Sequence, residues 1–190
     1  MKIDWSHMSD EELAERMAQG KKEAFDILYQ RYAKLMLNYF YRMLWQDKEK
    51  AQDFTQDLFL KLIQNPKSFD ASRSFKTWFY SVANNMCKNE YKKQSVRANT
   101  QVGIEPYQQT ASKEVLVDEQ VQMSLFKDQF ASELAEMDEN HRQVVILRHL
   151  EGLSVKDIAE QLSINEGTVK SRIFYATKSL AQKLAAFNTK

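Results

Sequence analysis

Two stretches of this chain combine residue types that suit contact with nucleic acid. The first reads Phe75-Lys76-Thr77-Trp78-Phe79-Tyr80-Ser81-Val82-Ala83-Asn84-Asn85 and runs on to Lys88-Asn89-Glu90-Tyr91-Lys92-Lys93. Single strands are held by basic grooves together with aromatic or amide groups that stack on, or hydrogen-bond to, extruded bases. The second stretch, Glu166 to Tyr175, gathers Thr168, Lys170, Ser171 and Arg172, whose hydroxyls and cations suit phosphate oxygens and base edges of a duplex. A third, Asp53-Phe54-Thr55-Gln56-Asp57-Leu58-Phe59-Leu60-Lys61-Leu62, mixes acids, an amide and apolar residues, a combination that fits a protein surface.

Net charge argues against nucleic acid at first, because it is only +1 and affinity for phosphate comes largely from Lys and Arg. The distribution of charge points the other way. From Arg73 to Arg97 the cations Arg73, Lys76, Lys88, Lys92, Lys93 and Arg97 face one acid, Glu90, and from Gly167 onward Lys170, Arg172, Lys178, Lys183 and Lys190 face none. Two basic footprints are diluted by acids elsewhere.

Helices must position these residues. Four glycines and two prolines in 190 residues leave few turn signals for a sheet, so the expected class is all-α. Ser9 with Glu12 has the form of a capping box that starts a helix ending near Gly20. Phe25, Leu28, Tyr32, Leu35, Tyr39 and Met43 recur at three and four residues and predict one long amphipathic helix. Asp47 caps a third helix with Phe54, Leu58, Phe59 and Leu62 inward, stopped by Asn65-Pro66, and a fourth starts near Ser74. In that fourth helix the spacing turns Phe75, Trp78, Phe79 and Val82 inward. Asp53, Gln56, Asp57, Leu60 and Lys61 fall on the outer side of the third, where a merely solvated face would look much the same.

From Gln94 the apolar periodicity disappears and polar residues dominate, with Gly103 and Pro106 as breakers. Such length marks a boundary. The chain therefore divides into a helical domain at 9–95, a flexible linker at 96–122 and a second small helical domain at 123–187. Within the second domain Asp138 caps a helix containing Val144, Val145, Leu147 and Leu150. Ser154 with Asp157 caps a short helix, Ser163-Ile164-Asn165 reverses the chain, and Asn165 caps a last helix with Val169, Ile173, Leu180 and Leu184 inward. This is a helix-turn-helix. It leaves Glu166, Thr168, Lys170, Ser171, Arg172 and Tyr175 at the start of a recognition helix, which enters a major groove by that end. A helix hairpin with a solvated basic face is the plainer alternative.

At Glu166-Gly167-Thr168-Val169-Lys170-Ser171-Arg172-Ile173 the chain resembles the −35-reading domain of bacterial sigma factors. A helix-turn-helix is shared with many repressors, so the N-terminal half decides. There Asp53, Gln56, Asp57 and Leu60 match the sigma motif Asp-x-x-Gln-Asp/Glu-x-x-Leu, which packs on the coiled coil of the polymerase clamp. Phe75 and Trp78, then Ala83-Asn84-Asn85, then Lys88-Asn89 and a basic end are similar to the family's −10-reading helix. By that match Asn85 and Lys88 contact the −10 strand, with Asn84, Asn89, Lys92 and Lys93 in support. The resemblance runs from about Asp10 to Leu184 and lacks the additional regions of the larger housekeeping sigmas, which marks the extracytoplasmic-function (ECF) type.

The resemblance implies core RNA polymerase and promoter DNA as partners and an anti-sigma factor as antagonist. The acids Glu105, Glu114, Asp118 and Glu119 of the linker suit a basic nucleic-acid channel equally with a solvated tether. The single cysteine, Cys87, and the histidines His7, His141 and His149 show no metal-ligand spacing. No metal, cofactor or enzymatic site is expected. No apolar run approaches the roughly 18 residues of a membrane span, so no membrane insertion is expected and the cytoplasm is the expected location. Two other readings stay open: a LuxR-like regulator that binds duplex without polymerase, and a helical adaptor that binds only protein.

Overall fold

Local signals set where each helix begins. In a computed structural model that describes residues 4–100 and 119–187, Ser9 Oγ accepts from Glu12 N at 3.1 Å and the Glu12 carboxylate accepts from Ser9 N at 2.8 Å. That box opens α1, Asp10–Ala18. Helix α2 spans Lys22–Met43, and α3, capped by Asp47, spans Lys48–Gln64. Helix α4 is Phe75–Thr100, α5 is Glu119–Glu136, and α6, capped by Asp138, is Glu139–Val145. The second capping box, Ser154 with Asp157, opens α7, Val155–Leu162, and Asn165 opens α8, Glu166–Lys183. The expected all-α class holds, and none of the described helices is long and apolar enough to cross a membrane.

The N-terminal unit wraps α1, α2 and α3 around the start of α4. Its largest fully buried side chains include Tyr39, Tyr80, Phe40, Phe75 and Phe79. Burial of these rings, with Leu13, Leu28, Met36, Met43 and Leu58 beside them, supplies the driving force here. One expected stripe position fails: Leu35 is exposed, and Met36 and Phe40 are buried instead. The buried face of α2 advances in four-residue steps through Leu28, Tyr32, Met36 and Phe40, which drift round the helix and leave Leu35 at its edge.

In the C-terminal unit α5, α6 and α8 meet through Leu134, Val145, Ala176, Leu180 and Leu184. Leu150, at the end of the helix expected after Asp138, is exposed. The reason is a π-helical turn, Ile146–Leu150, which closes with Glu151 N donating to Ile146 O at 3.0 Å. Gly152 then takes φ +72°, a conformation that costs a side chain dearly, and Leu153 N returns to Leu147 O at 2.9 Å. The wide turn carries Leu150 out and Glu151 in.

The two units share one continuous core. Leu147, Leu153, Ile158 and Leu162 join the cluster that contains Phe75, Phe79 and Tyr80. Periodicity gave two units but no hint that they pack together. Both ends of the expected linker, 96–122, are helical, because α4 continues to Thr100 and α5 begins at Glu119. Residues 101–118, with Glu105, Glu114 and Asp118, lie outside the described residues.

Candidate nucleic-acid interface

Helix α8 is built to present its first turns. Asn165 Oδ1 accepts from Thr168 N at 2.7 Å, and a Cβ added at Gly167 would sit 3.3 Å from that same oxygen, so glycine keeps the cap uncrowded. Ser163, in the left-handed region at φ 55°, turns the chain into the cap. Val169 is fully buried, which fixes the roll of the helix and leaves Glu166, Lys170, Ser171 and Tyr175 exposed and Thr168 and Arg172 half-buried. Lys170 Nζ lies 3.7 Å from Glu166, an exposed pair that a phosphate can displace. Phe174, absent from the expected set, is 62% exposed beside Tyr175. Replacing Asn165 with Ala should lower stability by about 1 kcal/mol, read as a shifted thermal midpoint; an unchanged midpoint would show that the cap contributes nothing.

Helix α3 buries Ala51, Thr55, Leu58, Phe59 and Leu62 and turns the other way Asp53, Gln56, Asp57, Leu60 and Lys61, all exposed as expected. Leu60 and Ile63 are each 50% exposed. Ile63 was missed, although it follows Leu60 by three residues on the same face.

Helix α4 divides its candidates. Asn85, Asn89, Lys92 and Lys93 are exposed and Lys88 is half-buried. Phe75 and Phe79 belong to the core, with stacked rings 5.3 Å apart, and Trp78 packs partly buried against it. Asn84 is fully buried, because the C-terminal unit lies on top of it. Gln143 Nε2 donates to Asn84 Oδ1, and Tyr39 OH donates to the same oxygen at 3.5 Å. Cys87 is buried in the same region, and burial pushes its thiol well above the ordinary value, so it fills space as an inert neutral group.

Beside the shared apolar core, the seam between the units carries a chain of polar contacts. Glu151, almost fully buried, takes Arg42 Nη1 at 3.3 Å on Oε1 and the Tyr80 hydroxyl on Oε2, while Lys76 Nζ donates to its carbonyl at 2.6 Å. Gln161 Nε2 donates to Tyr80 O at 3.2 Å, and Arg142 Nη2 donates to Tyr91 OH at 3.4 Å. Burial, reinforced by the bond to Glu151, holds the Tyr80 phenol protonated and donating. Burial likewise lifts the Glu139 carboxyl, while Arg142 and Lys88 draw it down. Among the described residues three buried polar atoms have no protein partner: Asn84 Nδ2, Arg142 Nε and Gln161 Oε1. All three lie in this seam, where each unmet group costs about 1–3 kcal/mol. Sequence reasoning missed Arg42, Gln143 and Glu151, since nothing local distinguishes them from solvated residues.

Comparison with known proteins decides the family. Residues 28–97 match the model for Sigma-70 region 2, and residues 127–180 match that for Sigma-70, region 4. The chain belongs to the sigma-70 family. It is 31% identical over 181 residues to the RNA polymerase sigma-H factor of Pseudomonas aeruginosa, covering 92% of this chain and 93% of that one. It is 29% identical over 176 residues to the ECF RNA polymerase sigma factor SigW of Bacillus subtilis, covering 89% and 93%. The chain is thus an ECF sigma factor, a protein that directs transcription initiation. Its fold is that of CnrH, solved in complex with the cytosolic domain of CnrY, with TM-score 0.68, 23% identity and coverage of 94% and 99%. It is likewise that of the sigma factor RpoE of Bartonella quintana, solved with the anti-sigma factor NepR, with TM-score 0.67, 21% identity and coverage of 85% and 96%.

Proposed function

We propose that this sigma factor holds core RNA polymerase through the outer face of α3 and grips one promoter at two places. Asp53, Gln56, Asp57, Leu60 and Lys61, extended by Ile63, form the polymerase contact. The unit at 9–95 captures the unpaired −10 strand with Asn85 and Lys88, supported by Asn84, Asn89, Lys92 and Lys93. The unit at 123–187 reads the −35 duplex with Glu166, Thr168, Lys170, Ser171, Arg172 and Tyr175, and residues 96–122 tether the two. Duplex opening then draws on binding energy, and the protein works by binding in the cytoplasm without catalysing a reaction. Two modest interfaces on one chain multiply through effective concentration.

One observation carries this reading. On α3 two half-exposed aliphatic side chains, Leu60 and Ile63, sit among acids and an amide on a helix whose other face is fully engaged in the core. A solvated face gains nothing from them, whereas a protein partner does. An anti-sigma factor that competes for these surfaces fits the same chemistry, and the relatives solved with CnrY and NepR support it.

The test is run-off transcription on genomic fragments by core polymerase with and without the purified chain. Discrete transcripts that depend on the chain are the expected result. Failure of the chain to co-elute with core polymerase removes the reading.

A further inference from the structure

Four α4 residues lie along one face at four-residue steps: Lys76, Tyr80, Asn84 and Lys88. Each is met by a residue of the C-terminal unit. Lys76 meets the Glu151 carbonyl and Tyr80 its carboxylate, Asn84 meets the Gln143 amide, and Lys88 lies within electrostatic reach of Glu139. The opposing residues come from one short stretch, α6 and the π turn that follows it. The order runs antiparallel to α4: the Glu151 carboxylate and carbonyl accept from Tyr80 and Lys76, and the Gln143 amide donates to the Asn84 oxygen.

The richest point of this ladder is at Glu151. Two cations and a phenol, all from the N-terminal unit, converge on this single residue, whose side chain is only 5% exposed while that of Arg42 keeps 34%. Among the described residues Glu151 is the one acid within ion-pair distance of Arg42, and Lys76 has none on a side chain. Without the Glu151 carboxylate, Arg42 and Tyr80 would face one point with no anion between them, and Lys76, held by the carbonyl of the same residue, stands beside them. Arginine, lysine and tyrosine are the donors that proteins aim at phosphate oxygens.

We propose that Arg42, Lys76 and Tyr80 form a cradle for a backbone phosphate of the unpaired promoter strand, and that Glu151 fills it as an internal ligand while the two units are closed. The edge Glu139–Gln143–Glu151 thus stands in for the strand along α4, and Asn84 becomes available only when that edge leaves. The proposal rests on the reading of α4 as the strand-binding helix. The three unpartnered polar atoms of the seam lower the stability of the closed contact and so favour its exchange for a strand. A phosphodiester contact at this point carries no sequence information; it supplies affinity and register.

The experiment measures binding of the full chain to a dye-labelled, mixed-sequence 20-nucleotide single strand by anisotropy over a salt series, with the radius of gyration from solution scattering. Glu151→Ala is expected to tighten binding about tenfold and to enlarge the radius. Glu151→Gln, which keeps a hydrogen-bond acceptor for Tyr80 and removes the charge, serves as the conservative variant and gives a smaller gain. Adding Lys76→Ala to Glu151→Ala should cancel the gain and reduce the salt slope by about 0.7, the share of one single-strand phosphate contact. Lys127→Ala, on the exposed side of α5, should not.

Affinity unchanged in both Glu151 variants, or a gain that survives Lys76→Ala with its slope intact, overturns the cradle. An enlarged radius without tighter binding overturns it too. Association with core polymerase is measured on the same chains. Normal association without tighter strand binding removes the cradle alone, whereas wild type that fails to associate removes the sigma reading beneath it.

Discussion

A Leu60→Asp chain is expected to lose core polymerase, with affinity reduced roughly 30- to 1,000-fold, the range set by about 2–4 kcal/mol at an interface hot spot. Leu60 is half exposed on α3, so the substitution leaves the core of the N-terminal unit intact and helix content by circular dichroism should not change. At the interface it replaces an apolar anchor with a carboxylate that must be desolvated without a partner, beside Asp53 and Asp57. Ile63→Asp, three residues on, should act in the same direction. Lys61→Ala, which deletes a long exposed cation, should change affinity far less, since exposed charges contribute little. Size-exclusion co-elution at defined salt measures all three. Wild-type affinity in Leu60→Asp would place the polymerase contact elsewhere.

The second large effect concerns promoter opening. Asn85→Ala combined with Lys88→Ala should cut the yield of open complex about 100-fold or more while polymerase association stays at the wild-type level. Contacts to extruded bases are each worth about 1–3 kcal/mol, and the double variant removes an amide and a cation from adjacent turns. Asn85 is exposed and Lys88 is half-buried opposite Glu139, so neither holds the core together. Reactivity of unpaired thymines to permanganate reads the opened strand directly. Opening at the wild-type level would remove the −10 assignment from these two residues. Asn84→Ala carries a different signature, because Asn84 accepts from Gln143 and Tyr39 within the seam. It should loosen the closed form as well as weaken strand capture, so its net effect on opening is smaller than that of Asn85→Ala.

These two predictions draw on opposite kinds of information. The outer face of α3 was readable because a single helix with Leu58, Phe59 and Leu62 inward has no choice about where Asp53, Gln56, Asp57 and Leu60 point. The same logic placed Lys170, Ser171 and Tyr175 outward once Val169 and Leu180 were inward. It failed for Leu35, because a stripe built of four-residue steps drifts around the axis, and it gave no sign of the π turn that carries Leu150 outward. Phe174 escaped notice because an aromatic next to the half-buried Ile173 has the same residue type whether it faces water or core.

What the amino-acid order determined alone is everything that depends on neighbours a few residues away. Ser9 with Glu12, Asp47, Asp138, Ser154 with Asp157, and Asn165 each supply a side-chain acceptor to backbone donors at a helix start, and those starts stand where the spacing put them. What only the tertiary structure decided is the meeting of Glu151 with Arg42, Lys76 and Tyr80, and of Gln143 with Asn84, partners separated by 109, 75, 71 and 59 residues. Caps and amphipathic faces follow from backbone geometry, which repeats every 3.6 residues. A contact between two folded units depends instead on the shape and burial of both, and no local period encodes it.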